Sequence, residues 1–173
     1  GGLEETATFY AATGLTVNKL FDEKIASIPG KKGKVTVPEA LEQESFKKIY
    51  LMIGINEMGT GDVKRFVDTY RETLEELHRL QPEAIIYIQA IMKVTTERSE
   101  KGDYITNEGI VERNEGIMEL ADNVTYFYLD VNPAICDETG GMRKDYTYDG
   151  VHLKGRDVLI WKDFLKEHAV VLD

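Results

Sequence analysis

Short apolar runs rich in β-branched and aromatic residues alternate along the chain with longer stretches of helical period. Such runs predict strands, and the run KIYLMIG is apolar on both faces, as expected of a strand that is covered on both sides. Strands are predicted over residues 7–13 (ATFYAAT), 48–54 (KIYLMIG), 84–91 (AIIYIQAI) and 124–131 (VTYFYLDV). Strands that alternate with helices favour an α/β domain with a parallel sheet.

The stretches between these strands predict amphipathic helices. In the longest one, the apolar positions recur at helical spacing and Pro82 marks the exit. Asn107 is a plausible N-cap, and Pro38 suits the first position of a short helix. Helices are predicted over residues 16–28, from Pro38 onward, and over 62–82, 107–122 and 156–171.

Composition limits the classes of function. The 173 residues, 42% of them hydrophobic, suffice for one globular domain with its own core. A formal charge of −10 argues against a surface for nucleic acid or anionic membrane, which requires clustered Lys and Arg. No apolar run approaches the roughly 18 residues of a membrane span. Cys136 is the only cysteine, so the chain can form no internal disulfide.

Candidate chemistry follows the predicted strands. In open parallel sheets, active sites lie beyond the carboxyl ends of the strands. Gly14 follows the first predicted strand, Gly54 and Asn56 follow the second, and Asp149 and His152 lie in a loop beyond the fourth. Each residue alone is weak evidence, because glycines and asparagines are common in turns. Their shared placement at one edge of one sheet indicates an active site.

These residues and their spacing resemble the SGNH or GDSL hydrolases, a family of serine esterases and lipases. ATGLT matches the family's second block at Gly14, IGINE matches the third at Gly54 and Asn56, and DGVHL matches the fourth. The resemblance covers the whole chain and implies a flavodoxin-like, three-layer α/β/α sandwich. In one small departure, Glu57 stands where the family often has an aspartate.

The larger departure concerns the nucleophile, because the chain contains no Gly-Asp-Ser block. Ser27, Ser45 and Ser99 do not follow an apolar strand at a sharp turn, where a nucleophile would be exposed. We therefore expect residues 1–173 to be a single domain whose first strand and serine lie upstream of Gly1. A signal peptide could also stand there, so the sequence leaves the cellular location open: cytoplasmic is the default expectation, and secretion is possible.

The resemblance also implies where the upstream strand would lie. In the family's sheet order, 2-1-3-4-5, it would occupy the place between residues 7–13 and 48–54. Adjacent strands are about 4.8 Å apart, so these two segments are expected to be parallel strands separated by about 10 Å.

The resemblance assigns roles to the matching residues. His152 would be the general base and Asp149 would orient it, while Asn56 and the Gly14 N–H would form the oxyanion hole. This chemistry needs no cofactor and no metal. The expected partner is a small-molecule ester, either an acylated sugar or a lipid. Tyr146, Tyr148 and Met92 are weaker candidates for the substrate pocket.

Two other classes of function stay open. The chain could be a non-catalytic carbohydrate- or acyl-binding module that has lost its nucleophile, although the presence of all four site residues argues against this. It could also be a flavodoxin-like signalling or nucleotide-binding domain, but it contains neither a G-x-G-x-x-G motif nor a P-loop.

Cys136 could serve as a nucleophile, but a buried structural thiol is commoner. The sequence does not indicate an oligomeric state.

Overall fold

A parallel three-stranded sheet forms the centre of the computed structural model, which describes residues 7–169. The strands are β1 (Lys48–Leu51), β2 (Ile85–Gln89) and β3 (Tyr126–Leu129), in the order β1-β2-β3. In the register, Lys48 pairs with Ile85 and Ile86 pairs with Tyr126. The second, third and fourth predicted strands are thus confirmed, with shorter bounds.

Helices connect and cover the strands. None of the helices formed by residues 7–169 has both the length and the apolar character needed to cross a lipid bilayer. Short 3-10 turns lie at Val17–Lys19, Ile55–Glu57 and Lys144–Tyr146. The α-helices are α1 (Val37–Leu41), α2 (Val63–Leu80), α3 (Thr96–Ser99), α4 (Asn107–Met118), α5 (Asn132–Ile135) and α6 (Val158–His168).

The two faces of the sheet carry separate apolar cores. Alternate residues of β2 point to opposite faces, as the period of a strand requires. Ile86 and Ile88 pack with side chains of α2 and α4 on one face. Ile85 and Tyr87 pack near Leu165 of α6 on the other face. The result is the predicted three-layer α/β/α arrangement.

Side chains cap the N-termini of α2 and α4. The Asp62 side chain accepts a hydrogen bond from the Arg65 N–H at 2.7 Å and starts α2. For α4, the N-cap is Thr106, whose hydroxyl accepts from the Gly109 N–H at 3.1 Å. The prediction that Asn107 caps this helix is therefore wrong, because its side chain bonds elsewhere, as described below.

Two predictions near the start of the chain are wrong. Residues 7–13 form no strand, so the expected spacing of about 10 Å from β1 does not apply to them. Strand propensity alone does not order a segment, and among residues 7–169 no strand pairs with this one or with the outer edge of β1. Residues 16–28 form a single 3-10 turn followed by irregular turns instead of a helix. Their apolar side chains Val17, Leu20 and Ile25 reach the core from this irregular backbone.

Candidate active site

Asp149 and His152 are in direct contact in the loop that precedes α6. His152 Nδ1 lies 2.7 Å from Asp149 Oδ2. With Asp149 ionised, Nδ1–H is the donor, and Nε2 is the unprotonated nitrogen of the neutral ring. Among the described residues, Nε2 has no hydrogen-bond partner, and 77% of the His152 side chain is exposed. An imidazole held in this way can accept a proton from a hydroxyl group at Nε2.

The other carboxylate oxygen of Asp149 organises the loop. Asp149 Oδ1 accepts hydrogen bonds from the backbone N–H groups of Val151 at 2.9 Å and His152 at 2.8 Å. The Thr147 hydroxyl donates to the same oxygen at 3.2 Å and accepts from the Gly150 N–H at 3.0 Å. An antiparallel bridge between Thr147 and Leu153 closes the loop. One carboxylate therefore fixes both the loop and the imidazole ring.

These contacts determine the ionisation of Asp149. Partial burial opposes the charged form, but hydrogen bonds from the His152 backbone, the His152 ring and the Val151 backbone outweigh it. Together they hold the pKa of Asp149 well below its usual range. The Asp149 carboxylate is therefore ionised at neutral pH, as required of a group that stabilises an imidazolium.

Asn56 and the Gly14 loop meet beyond the end of β1. The Asn56 side-chain amide donates to the Leu15 carbonyl at 2.8 Å, although the two residues are 41 positions apart. Gly14 lies next to Leu15 and has a φ of +70°. Among residues 7–169, the Gly14 N–H has no hydrogen-bond partner. An amide group donates two hydrogens, so Asn56 keeps one for another acceptor.

Gly54 allows the chain to turn sharply between β1 and Asn56. Its φ is +137°, a conformation that side chains rarely adopt. A Cβ at this position would lie 2.6 Å from Ile91 Cδ1 and 3.0 Å from Phe66 Cζ. A larger residue would therefore displace the turn that carries Asn56 away from the core.

Three asparagine side chains, two of them buried and that of Asn107 half-buried, hold the segment that follows β2. The Asn114 side chain accepts from the Ile91 N–H and donates to the Ile91 carbonyl, at 2.8 and 2.9 Å. Asn107 makes the same pair of bonds with Val94, both at 2.9 Å. Asn132 accepts from the Lys93 N–H at 2.7 Å. Beyond the end of β2, where no neighbouring strand pairs with this segment in the described residues, these side chains provide hydrogen bonds to its backbone.

This segment also carries the Asp149 loop. The Thr95 N–H donates to the Gly150 carbonyl at 2.9 Å. Asn56 follows the end of β1, and the Asp149 loop bonds to the segment that follows β2, so both halves of the predicted site lie beyond the carboxyl ends of strands. Within the described residues, no hydrogen bond joins the Asp149–His152 pair to Asn56 or Gly14.

The three pocket candidates have different surroundings. Met92 and Tyr146 pack into a small core with Val131 and Met142 beneath the loop. These contacts account for both side chains by packing, and their role in a pocket stays a prediction. Tyr148 is 90% exposed, with Lys154 Nζ 4.5 Å from its ring centroid. The role of Tyr148 in a pocket therefore also stays a prediction.

Other potential nucleophiles have ordinary structural surroundings. The Ser99 hydroxyl accepts from the Asn107 N–H at 2.8 Å, and Ser27 and Ser45 are exposed. Among residues 7–169, none of these serines forms a hydrogen bond with His152. Burial raises the pKa of the half-buried Cys136 thiol, and this disfavours the reactive thiolate.

Sequence reasoning missed several residues that build the site. Side chains that bond to distant backbone groups cannot be identified from a local pattern, and this is the case for Asn107, Asn114 and Asn132. The contact of Thr147 with Gly150 lies across a turn and was missed as well. For Glu57 there was a signal: this acidic residue lies between Ile55 and Met58 in an apolar stretch. The structure shows that it is buried, with 4% of its surface exposed.

Residues 7–169 thus form a three-layer α/β/α fold around a parallel sheet, with an Asp–His pair in contact in the loop before α6. The model of the GDSL-like lipase/acylhydrolase family matches residues 5–156, and the chain belongs to that family. This match confirms the resemblance inferred from the sequence blocks. At the level of the family, the protein is a hydrolase of ester bonds.

Solved structures share the fold. A Streptococcus pneumonia protein whose name refers to platelet activating factor aligns with 90% of this chain and 68% of its own, at 24% identity and a TM-score of 0.70. A mutant acetyl-xylooligosaccharide esterase from Geobacillus Stearmophilus aligns with 91% of this chain and 69% of its own, at 16% identity and a TM-score of 0.64.

A GDSL-like lipase from Bacteroides thetaiotaomicron aligns with 70% of this chain at 18% identity and a TM-score of 0.56, and the chain spans 60% of its length. At these identities, the likeness establishes the fold alone. No curated protein matches the chain at a significant level.

Proposed function

We propose that this protein is a serine esterase that cleaves an acyl or acetyl ester through a Ser-His-Asp triad. Asp149 and His152 supply two members of the triad, and the serine lies upstream of Gly1. The observation that carries this proposal is the 2.7 Å contact between His152 Nδ1 and Asp149 Oδ2, together with the lack of any partner for Nε2 among the described residues.

The chemistry follows from these positions. His152 Nε2 takes the proton of the serine hydroxyl while the serine oxygen attacks the carbonyl carbon of the ester. The protonated ring then gives that proton to the departing alkoxide, which leaves an acyl-enzyme. Water hydrolyses the acyl-enzyme by the same two proton transfers. Asp149 stays ionised and stabilises the charged ring throughout.

The negative charge that develops on the carbonyl oxygen needs donors already in place. We assign this role to the second amide hydrogen of Asn56 and the N–H of Gly14. The bond from Asn56 to Leu15 supports the assignment, because it fixes the amide beside the Gly14 loop. Donors that do not reorganise during the reaction are the most effective at stabilising a transition state.

The substrate class that we propose to test first is a sugar carrying an acetyl or other short acyl group. The Geobacillus structure of the same fold is that of an acetyl-xylooligosaccharide esterase. The exposed ring of Tyr148, next to Asp149, is available to contact a sugar. A lipid ester is the other class that the family's chemistry covers.

A fluorophosphonate, which reacts covalently with activated serines, tests the triad directly. The probe is applied to residues 1–173 and to the protein with its upstream residues included, here called the upstream-extended protein. We expect mass spectrometry to locate one label, on an upstream serine of the upstream-extended protein, and the label should be lost in the His152→Ala variant.

Two results would contradict the proposal. Labelling of Ser27, Ser45 or Ser99 would place the nucleophile within this chain. An upstream-extended protein that is not labelled but still binds an acylated sugar in calorimetry would be the non-catalytic binding module.

A further inference from the structure

Glu57 is buried directly beneath the predicted oxyanion hole. It follows Asn56 in the 3-10 turn after β1 and is 4% exposed. Glu57 Oε1 accepts a hydrogen bond from the backbone N–H of Val17, 40 residues earlier in the chain. Val17 is itself 2% exposed, so no water is at hand to replace this acceptor.

A carboxylate at this position is unfavourable for stability. Among the described residues, Glu57 Oε2 has no hydrogen-bond partner. Burial raises the pKa of Glu57, although the Val17 N–H and the nearby Arg113 act in the opposite direction. Within residues 7–169, Glu57 and Arg113 form no ion pair. Because an apolar side chain would fill this space at lower cost, packing alone does not explain the glutamate.

The contacts of Glu57 and Asn56 together hold one short segment. The Asn56 amide bonds to the Leu15 carbonyl, and Glu57 accepts from the Val17 N–H. Two consecutive residues of one turn thus hold two alternate residues of the segment that follows Gly14. Without the Glu57 contact, the bond to Asn56 would be the one hydrogen bond between this segment and the 3-10 turn among the described residues.

We propose that Glu57 is a positioning residue that holds the Gly14 loop against Asn56, so that the two oxyanion donors keep a fixed spacing. This inference rests on the proposed function, because the spacing of the donors matters only if they bind an oxyanion. Glu57 does not touch the substrate and acts through Val17.

Three variants separate positioning from general stability. Glu57→Gln keeps an oxygen that can accept from Val17, whereas Glu57→Met fills the space without an acceptor. The matched control is Gln81→Met, because Gln81 is another buried polar residue that holds a loop. Its Oε1 accepts from the Phe46 N–H at 2.7 Å and its Nε2 donates to the Leu41 carbonyl at 2.6 Å.

The first readout is hydrogen exchange of single amides in residues 1–173, which requires no enzymatic activity. In Glu57→Met, we expect the Val17 amide to lose at least about tenfold of its protection relative to the other core amides. Glu57→Gln should retain it. Gln81→Met should expose the Phe46 amide and leave the relative protection of Val17 unchanged. A loss at Val17 that is equal in Gln81→Met would overturn the proposal.

The second readout is hydrolysis of p-nitrophenyl acetate by the upstream-extended protein. We expect Glu57→Met to lower kcat about 10- to 100-fold with little change in KM, because misplaced donors act on the transition state. Glu57→Gln should keep kcat near the wild-type value, and Gln81→Met should leave kcat unchanged. Glu57→Met should also cost less in an Asn56→Ala background, since one of the two donors is already absent.

The outcomes distinguish the two proposals. If the wild type has no esterase activity, the proposed function fails, and exchange at Val17 still decides whether Glu57 holds the loop. If the wild type is active but Glu57→Gln loses as much kcat as Glu57→Met, the hydrogen bond to Val17 is not the reason for the glutamate, and the positioning role is wrong.

Discussion

The two halves of the predicted site are built in different ways. The Asp149–His152 half is local, because its contacts span two or three residues within one loop. The half formed by Gly14 and Asn56 depends on contacts between residues 40 and 41 positions apart. The contact between Asp149 and His152 depends on their spacing within one loop, whereas the contacts of Asn56 and Glu57 exist only once β1 and the core are formed.

This difference predicts where each half is vulnerable. The local half should tolerate changes elsewhere in the protein, because Asp149 holds both its own loop and the imidazole ring. The long-range half should respond to changes in residues that never approach the substrate, such as Glu57 and Gly54. Mutations that separate these behaviours test the comparison.

The largest effect is expected for His152→Ala in the upstream-extended protein. Removal of the general base should lower kcat/KM for p-nitrophenyl acetate by about 10⁴-fold or more, and Asp149→Asn should cost less because the imidazole is still present. His168→Ala is the matched control. That ring lies in α6, with Nδ1 2.8 Å from the Phe164 carbonyl oxygen. Comparable activity in His152→Ala and His168→Ala would exclude the triad.

Asn56→Ala tests the long-range half. We expect kcat to fall by about 10²- to 10³-fold with little change in KM, since the donor acts mainly on the charged transition state. The lost bond to Leu15 should lower the free energy of unfolding by only about 1 kcal/mol, because Asn56 is exposed. If the melting temperature fell while kcat was intact, Asn56 would be a structural residue of the turn.

The same contrast explains how much the sequence could predict. The strands at 48–54, 84–91 and 124–131 were recognisable because their apolar runs supply side chains to the cores on both faces of the sheet. The Asp149 and His152 contact was recognisable because its spacing is local. The segment 7–13 also contains Thr, Phe and Tyr, but it has no Val, Ile or Leu, and such residues form a strand only where a partner strand pairs with them.

The long-range contacts were beyond local patterns. Asn107 fits an N-cap by its position, and Thr106 fits equally well, so only the fold decides between them. The structure gives the cap to Thr106 because the Asn107 side chain satisfies both backbone groups of Val94. Similarly, the helix predicted at 16–28 does not form, and within that segment the Val17 N–H bonds to Glu57.

A smaller effect is expected where the local loop meets the rest of the protein. Gly150 has a φ of +83°, and a Cβ there would lie 2.9 Å from Thr95 Oγ1 and 2.9 Å from Arg98 Cβ. Gly150→Ala should therefore displace the loop and lower kcat/KM about 10- to 100-fold.

Gly140→Ala is the matched control for this variant. Gly140 has a φ of +81°, and a Cβ there would meet nothing within 4 Å. Both variants carry the same left-handed strain, of about 1–2 kcal/mol, but only Gly150→Ala also pushes against Thr95. Equal activities in the two variants would show that the Asp149 loop does not depend on its contact with Thr95.

The smallest effect concerns the buried charge of Glu57. Burial raises the pKa of Glu57 above its ordinary value in the unfolded chain, so the folded protein holds this proton more tightly. The resulting stability is fully present below the unfolded pKa of about 4.3 and is lost as pH rises through the folded value. Arg113 opposes this shift, and Tyr70 is the other titratable group that interacts with Glu57.

Glu57→Gln and Glu57→Met carry no titrating proton at this position. The melting temperature of each variant, minus that of the wild type, should therefore rise as pH increases from about 4 to 7. The two curves should be parallel, with an offset that reflects the different packing of Gln and Met. For a domain of this size, 1 kcal/mol corresponds to about 2–4 °C, which calorimetry resolves. A difference that stays constant across this range would mean that Glu57 ionises as freely in the folded protein as in the unfolded chain.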